Sequence, residues 1–246
     1  MTSRGGPNAD RLSDALRVEA DHLYGILASA RGTGELLRGE LGAIGDRTSE
    51  CARRAYVGLL RLSADYVQFT VAALEAAAGV LYRGDAQDRQ WADRMRAYAQ
   101  EETGSGDASG DDPSVGHEVW AYDDLAEIGI RDAAARTAHP AAAEYGWYFV
   151  HRAAAHPYAI LGAKSVLEAL SVRAAEPILA SLRALDAAPE AATRFVRRHG
   201  VADVAHVRVG SADLRRLHDG DHRRQVLEGA YMTTGMYRQL ADHYLR

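Results

Sequence analysis

Apolar residues recur along this chain at steps of three and four, the spacing that gathers them on one face of an α-helix, while strand-like alternation of β-branched residues is scarce. The pattern predicts helices over about Asp10 to Ala30, Thr48 to Tyr82 and Gln87 to Thr103. Between the first two, the Gly-rich stretch Arg31 to Gly45 holds a shorter helix or a loop, and Gly58 suggests a break inside the second. GSGDASGDDPSVG, Gly104 to Gly116, has the composition of a loop. Helical spacing resumes at His117 and predicts segments His117 to Gly129, Pro140 to Ala153, Pro157 to Leu185, Pro189 to Val209 and Asp221 to Tyr244. Pro177 should kink or break the third of these. With no internal repeat and no dividing linker, the fold class is all-α: a single helical bundle of about seven or more helices. Residues 1–62 are expected to be scaffold helices and residues 63–246 the core that carries the site.

One helical segment breaks the apolar pattern in an ordered way. In RFVRRHGVADVAHVR, His199, Asp203 and His206 stand at steps of four and three, so their side chains fall within about 60° on one helix face. Such a stripe is either a solvated face, a set of core histidines completing hydrogen bonds, or a metal-ligand triplet. Neutral imidazole and carboxylate together suit iron, manganese or zinc. Glu168 lies in HPYAILGAKSVLEALSVRA, a segment so apolar that an ionised carboxylate there needs compensation. Its partner is a metal, or Lys164, four residues earlier on the same face and the sole lysine of the chain, or both together. Glu101 and Glu102 close one predicted helix and His117 opens the next, so the intervening loop can bring them to one point.

Composition narrows the chemistry. The chain has 246 residues, 47% hydrophobic and 26% charged, ordinary for a globular protein. Cys51 is the only cysteine, which excludes an internal disulfide and any cysteine-built metal site. A formal net charge of -5, with no basic block interleaved with aromatics, argues against nucleic acid as a partner. MTSRGGPNADRLSD lacks the apolar core of a signal peptide, and no run of about 18 apolar residues occurs, so the expectation is a cytoplasmic protein without a membrane span.

Taken in chain order, E-x-G at Glu102, a loop and His117, Glu168 in an apolar helix, and then H-x-x-x-D-x-x-H resemble the haem-oxygenase-like di-iron oxidases and oxygenases. The match spans roughly Glu101 to Tyr244, and Trp120 and Phe195 agree with it. The resemblance implies that Glu102, His117, Glu168, His199, Asp203 and His206 occupy six ligand positions for two Fe ions that activate O2. The Glu102 to His117 interval is longer than usual, so the loop can be an insertion, and Glu101 can replace Glu102. Glu75, in TVAALEAAAGVL, stands where some N-oxygenating members carry a further glutamate ligand; its alternative is an ordinary exposed position. The implied partners are a small-molecule substrate, O2 and an external electron donor, and a homodimer is compatible.

Within that family the reactions include amine N-oxygenation, C–C cleavage, desaturation and ring closure of amino-acid or fatty-acid substrates. Glu75 tilts the expectation towards N-oxygenation of an amine or amino-acid-like compound in specialised metabolism, with Lys164 as a substrate contact in the cavity. Oxidative cleavage or desaturation, a non-enzymatic helical binding protein and a metal-free hydrolase of the same fold are the alternatives. The last lacks a nucleophile near the motifs. His218 and His222 share the i, i+4 spacing, but Gly220 between them favours a cap by Asp219 or Asp221. Nothing selects among His139, His151 and His156, and Tyr145, Trp147, Tyr148, Tyr231 and Tyr237 read as core or pocket wall.

Overall fold

The computed structural model describes residues 7–38, 45–104, 116–131 and 138–245. Among them are nine α-helices: α1 (Pro7–Ser29), α2 (Arg31–Arg38), α3 (Gly45–Leu81), α4 (Ala86–Glu102), α5 (His117–Glu127), α6 (Pro140–Ala155), α7 (Ala159–Ala184), α8 (Arg194–Leu214) and α9 (Gly220–Tyr244). A 3₁₀ turn, Glu190–Thr193, precedes α8. Residues 105–115 of the expected loop lie outside the described residues. No helix among the described residues is long and apolar enough to cross a membrane.

Local chemistry accounts for several starts. Asp85 caps α4 by accepting from the Gln87 and Asp88 N–H groups, and Asp88 accepts in return from the Asp85 N–H. Asp219 caps α9 in the same way from Asp221 and His222, as the Gly220 boundary predicted. His139 caps α6 through its Nδ1, with Pro140 following at the first helical position.

Three boundaries differ from expectation. Helix α3 is unbroken at Gly58, because the glycine serves packing: a Cβ there would stand 1.9 Å from the Tyr244 carbonyl oxygen at the end of α9. Helix α7 likewise runs through Pro177, flanked by α1, α8 and α9, whose contacts hold its axis despite the missing N–H. Helix α8 starts at Arg194, since Pro189 is extended and the next four residues form the 3₁₀ turn; it runs past Val209 to the buried Leu214.

Two groups of helices face each other. Helix α3 packs against α4, α5 and α6, and α7 packs against α1, α8 and α9. Where α7 crosses α9 their backbones touch: a Cβ at Gly162 would lie 1.8 Å from the Val226 carbonyl oxygen, and one at Gly229 1.8 Å from that of Ala159. Close-packed leucines and alanines fill most of the space between the groups. A cavity of about 170 Å³ remains, bounded by α3, α7 and α8 and by the end of α4. Leu27, Leu59 and Leu62 contribute to its wall, so the first 62 residues shape the cavity as well as supporting it.

Candidate metal centre

Four helices bring the donors together. Glu102 ends α4 and His117 begins α5, and their Oε2 and Nδ1 atoms are 2.8 Å apart. His117 stacks on Trp120 at 4.6 Å between ring centroids and meets His199 edge-on at 4.7 Å. On the other side, Glu168 of α7 and Asp203 and His206 of α8 offer donor atoms within 4.8 Å of one another. His206 Nδ1 is 3.2 Å from Asp203 Oδ1 and 3.6 Å from Glu168 Oε1, and its Nε2 is 3.8 Å from Glu101 Oε2. Glu102, Glu168, His199 and Asp203 all border the one cavity, together with Lys164. Glu101 and Glu102 thus take different sides, the first towards His206 and the second towards His117.

Positioning comes from neighbours outside the donor set. His199 Nδ1 lies 3.0 Å from the Phe195 carbonyl, which as acceptor sets the tautomer and leaves Nε2 free to ligate. The start of α8 is held by Asp124 of α5, fully buried, whose Oδ2 accepts the Phe195 N–H at 2.8 Å. That cap, from a residue 71 positions earlier, ties the helix of His117 to the helix of His199. Sequence reasoning passed over Asp124 because nothing nearby in the chain marks a cap supplied by another helix. Tyr66 of α3 was also missed. Its ring stacks on Tyr145 at 5.5 Å, their hydroxyls are 3.4 Å apart, and Tyr145 donates to Thr233.

Lys164 is buried, donates to Glu168, and lies 4.3 Å from the Tyr98 ring centroid. Burial works against its charge, but the Glu168 and Glu102 carboxylates outweigh burial and raise its pKa, so the ammonium persists. Burial likewise pushes the Glu102 carboxyl up, yet His117, Lys164 and His199 overcome it and hold it down at about 2. The His199 pKa is lowered by burial and by His117, which keeps the imidazole neutral, the form that binds metal. Contact with Asp203 raises that of His206.

These residues fit a metal of the iron type. The donors are imidazole and carboxylate only, the set that suits iron, and those of Glu168, Asp203 and His206 converge within 4.8 Å.

Glu75 stands apart from these donors. It is exposed, on the outer side of α3, about 180° around the helix from Tyr66, which faces the cavity. Helical phase thus sets Glu75 apart from the other residues expected as ligands. His218 is exposed, and His222 stacks on Tyr158 at 3.9 Å, so neither belongs to the donor set. Tyr145 is buried and Tyr237 lines the cavity, as expected for core or wall. Trp147, Tyr148 and Tyr231 instead turn to solvent, 52% to 56% exposed, because they fall on the outer faces of α6 and α9.

A helical bundle enclosing a cluster of carboxylates and histidines defines the class: an all-α protein of haem-oxygenase-like architecture. The chain belongs to the family of iron-containing redox enzymes, whose model matches residues 58–238. No curated protein matches it by sequence. It is similar to a crystal structure of a domain of unknown function with a haem-oxygenase-like fold from Shewanella denitrificans, with a TM-score of 0.68 and 16% identity over 96% of this chain and 92% of that one.

Proposed function

We propose that this iron-containing redox enzyme is a non-haem di-iron, O2-dependent oxidase or oxygenase acting on a small substrate with an apolar chain and an anionic head. The observation that carries the reading is the meeting of Glu102, Glu168, His199, Asp203 and Lys164 on a cavity whose remaining wall is mostly apolar. Along α7 that wall runs from Lys164 through Leu167, Leu170, Ala174 and Ala175 to Ile178. At 1.5 Å per residue this is about 21 Å, with the charged residues at one end.

Exposure of Glu75 removes the reason for favouring amine N-oxygenation. Where Glu168 is engaged by metal, the Lys164 ammonium it now pairs with would be released to attract a substrate carboxylate, which supports desaturation or C–C cleavage of an apolar acid instead. Two iron ions, held by Glu102, His117 and His199 on one side and by Glu168, Asp203 and His206 on the other, would supply the one-electron chemistry that O2 requires. The protein's own groups do the rest. Lys164 orients the anionic head, the apolar wall excludes water, and the Tyr66 hydroxyl, kept protonated by burial, holds a proton at the cavity wall.

The test is anaerobic titration with Fe(II), followed by O2 and a panel of straight-chain carboxylic acids and amines, with products read by mass spectrometry. The expected result is two Fe(II) bound per chain and O2 uptake triggered by acids, with loss of hydrogen or carbon from the product. Absence of stoichiometric iron binding sinks the reading, and a product gaining oxygen on nitrogen returns it to N-oxygenation.

A further inference from the structure

Helix α8 turns two different faces to its surroundings. His199, Asp203 and His206 look inward. At about 100° per residue, Arg197, Val201, Val204 and Arg208 fall within about 60° of one another on the opposite side. All four are exposed, Val201 by 74% and Val204 by 48%, an unusual position for two β-branched apolar residues on a single stripe. The helix carries four arginines, Arg194, Arg197, Arg198 and Arg208, while both of its acids, Asp203 and Asp213, are buried. Arg194 is paired with Asp123 at 3.0 Å, so the positive charge of its outer surface rests on Arg197, Arg198 and Arg208, on a chain of net charge -5. Glu190, 3.7 Å from Arg197, is itself 80% exposed and forms a loose pair.

This surface also has a short connection to the donors. The Arg198 guanidinium lies over the Trp120 ring at 4.7 Å, and Trp120 stacks on His117 and stands 5.8 Å from His199. Otherwise a single helix, about 10–12 Å across with its side chains, separates the stripe from the ligands. Valines flanked by arginines match an interface with an apolar centre and a charged rim, and the rim's sign selects an acidic partner.

We propose that the Arg197, Val201, Val204 and Arg208 stripe of α8 docks an acidic one-electron carrier protein that reduces the centre behind it. The inference rests on the redox reading of that centre. Each docking delivers one electron, so two reduced carriers leave oxidised and two Fe(III) return to two Fe(II).

The probe is an acidic plant-type [2Fe–2S] ferredoxin. Its oxidised form is titrated into the full chain by calorimetry, without iron and with it, at ionic strengths of about 0.05 M and about 0.5 M. Binding should occur at low salt, fade at high salt, and weaken at least about tenfold in Arg197→Glu/Arg208→Glu and in Val201→Asp. Reduction of the iron-loaded variants by dithionite should match the parent, while reduction by reduced ferredoxin slows. No ferredoxin binding at low salt, or equal binding by parent and variants, overturns the proposal. So does a salt-independent dimer dispersed by Val201→Asp, which assigns the stripe to a second copy. Intact ferredoxin binding by an iron-loaded chain that, once reduced and freed of dithionite, takes up no O2 would instead count against the oxidase reading and leave the docking surface standing.

Discussion

Replacing Lys164 with methionine keeps much of the side-chain bulk and deletes the charge that faces Glu168 inside the bundle. Breaking a buried ion pair on one side costs about 3–5 kcal/mol, because the surviving carboxylate is left uncompensated. For a chain of this size each kcal/mol lowers Tm by about 2–4 °C, so metal-free Lys164→Met should melt roughly 6–20 °C below the parent. A divalent cation bound by Glu168 restores a positive partner. In the loaded protein the loss should therefore shrink to about 1 kcal/mol, the packing part alone. By linkage, the difference between the apo and loaded losses, about 2–4 kcal/mol, appears as metal affinity, a gain of about tenfold for each 1.4 kcal/mol. The assay is thermal unfolding of parent and variant, each metal-stripped and each loaded with Co(II), which avoids oxidation. Equal losses with and without metal would refute the reasoning, because Lys164 and the metal would then not share Glu168.

Three further outcomes follow from the same geometry. His206→Ala should lower metal content by about half, read by elemental analysis, whereas His222→Ala, stacked on Tyr158 outside the donor set, should leave it unchanged. Asp124→Ala should cost about 1–2 kcal/mol through loss of the α8 cap and lower the metal content, while Asp124→Asn keeps an acceptor for Phe195 and retains the metal. Burial raises the Asp124 pKa to about 6 against the hydrogen bonds that lower it. The folded state thus holds the proton longer than the unfolded one, whose carboxyl titrates near about 4. Its contribution is present below that value and is lost as pH rises through about 6, and Asp124→Asn should flatten that slope in urea unfolding at pH 4 to 7.

The parts of the site legible in the sequence were those that a single helix carries. Spacing alone put His199, Asp203 and His206 on one face, and the apolar setting of Glu168 marked it as needing a cation. Glu102 and His117 lie on two helices, so the sequence showed only that a loop could bring them to one point, and the resemblance was needed to select them. The phase of Glu75 was not legible because Ala73, Leu74, Ala77 and Ala78 around it are buried, which makes the segment look inward-facing throughout. Which side of α3 faces the cavity is decided by α7 and α8, remote in the chain. Gly58 and Pro177 carry the signals of a break, yet close approach at one and tertiary contacts at the other override local preference.

The crossing at Gly162 and Gly229 bears on how such a molecule can diversify. With α7 and α9 in backbone contact, no larger residue fits at either glycine without forcing the helix that carries Glu168 away from its place. Leu59, Leu62 and Ala174 carry no such constraint, since each borders open volume. A combinatorial library spread over those three positions and barred from both glycines should therefore yield many proteins of altered substrate range with one unchanged inorganic frame. Lineages that explore new metabolites would vary the lining and inherit the crossing intact.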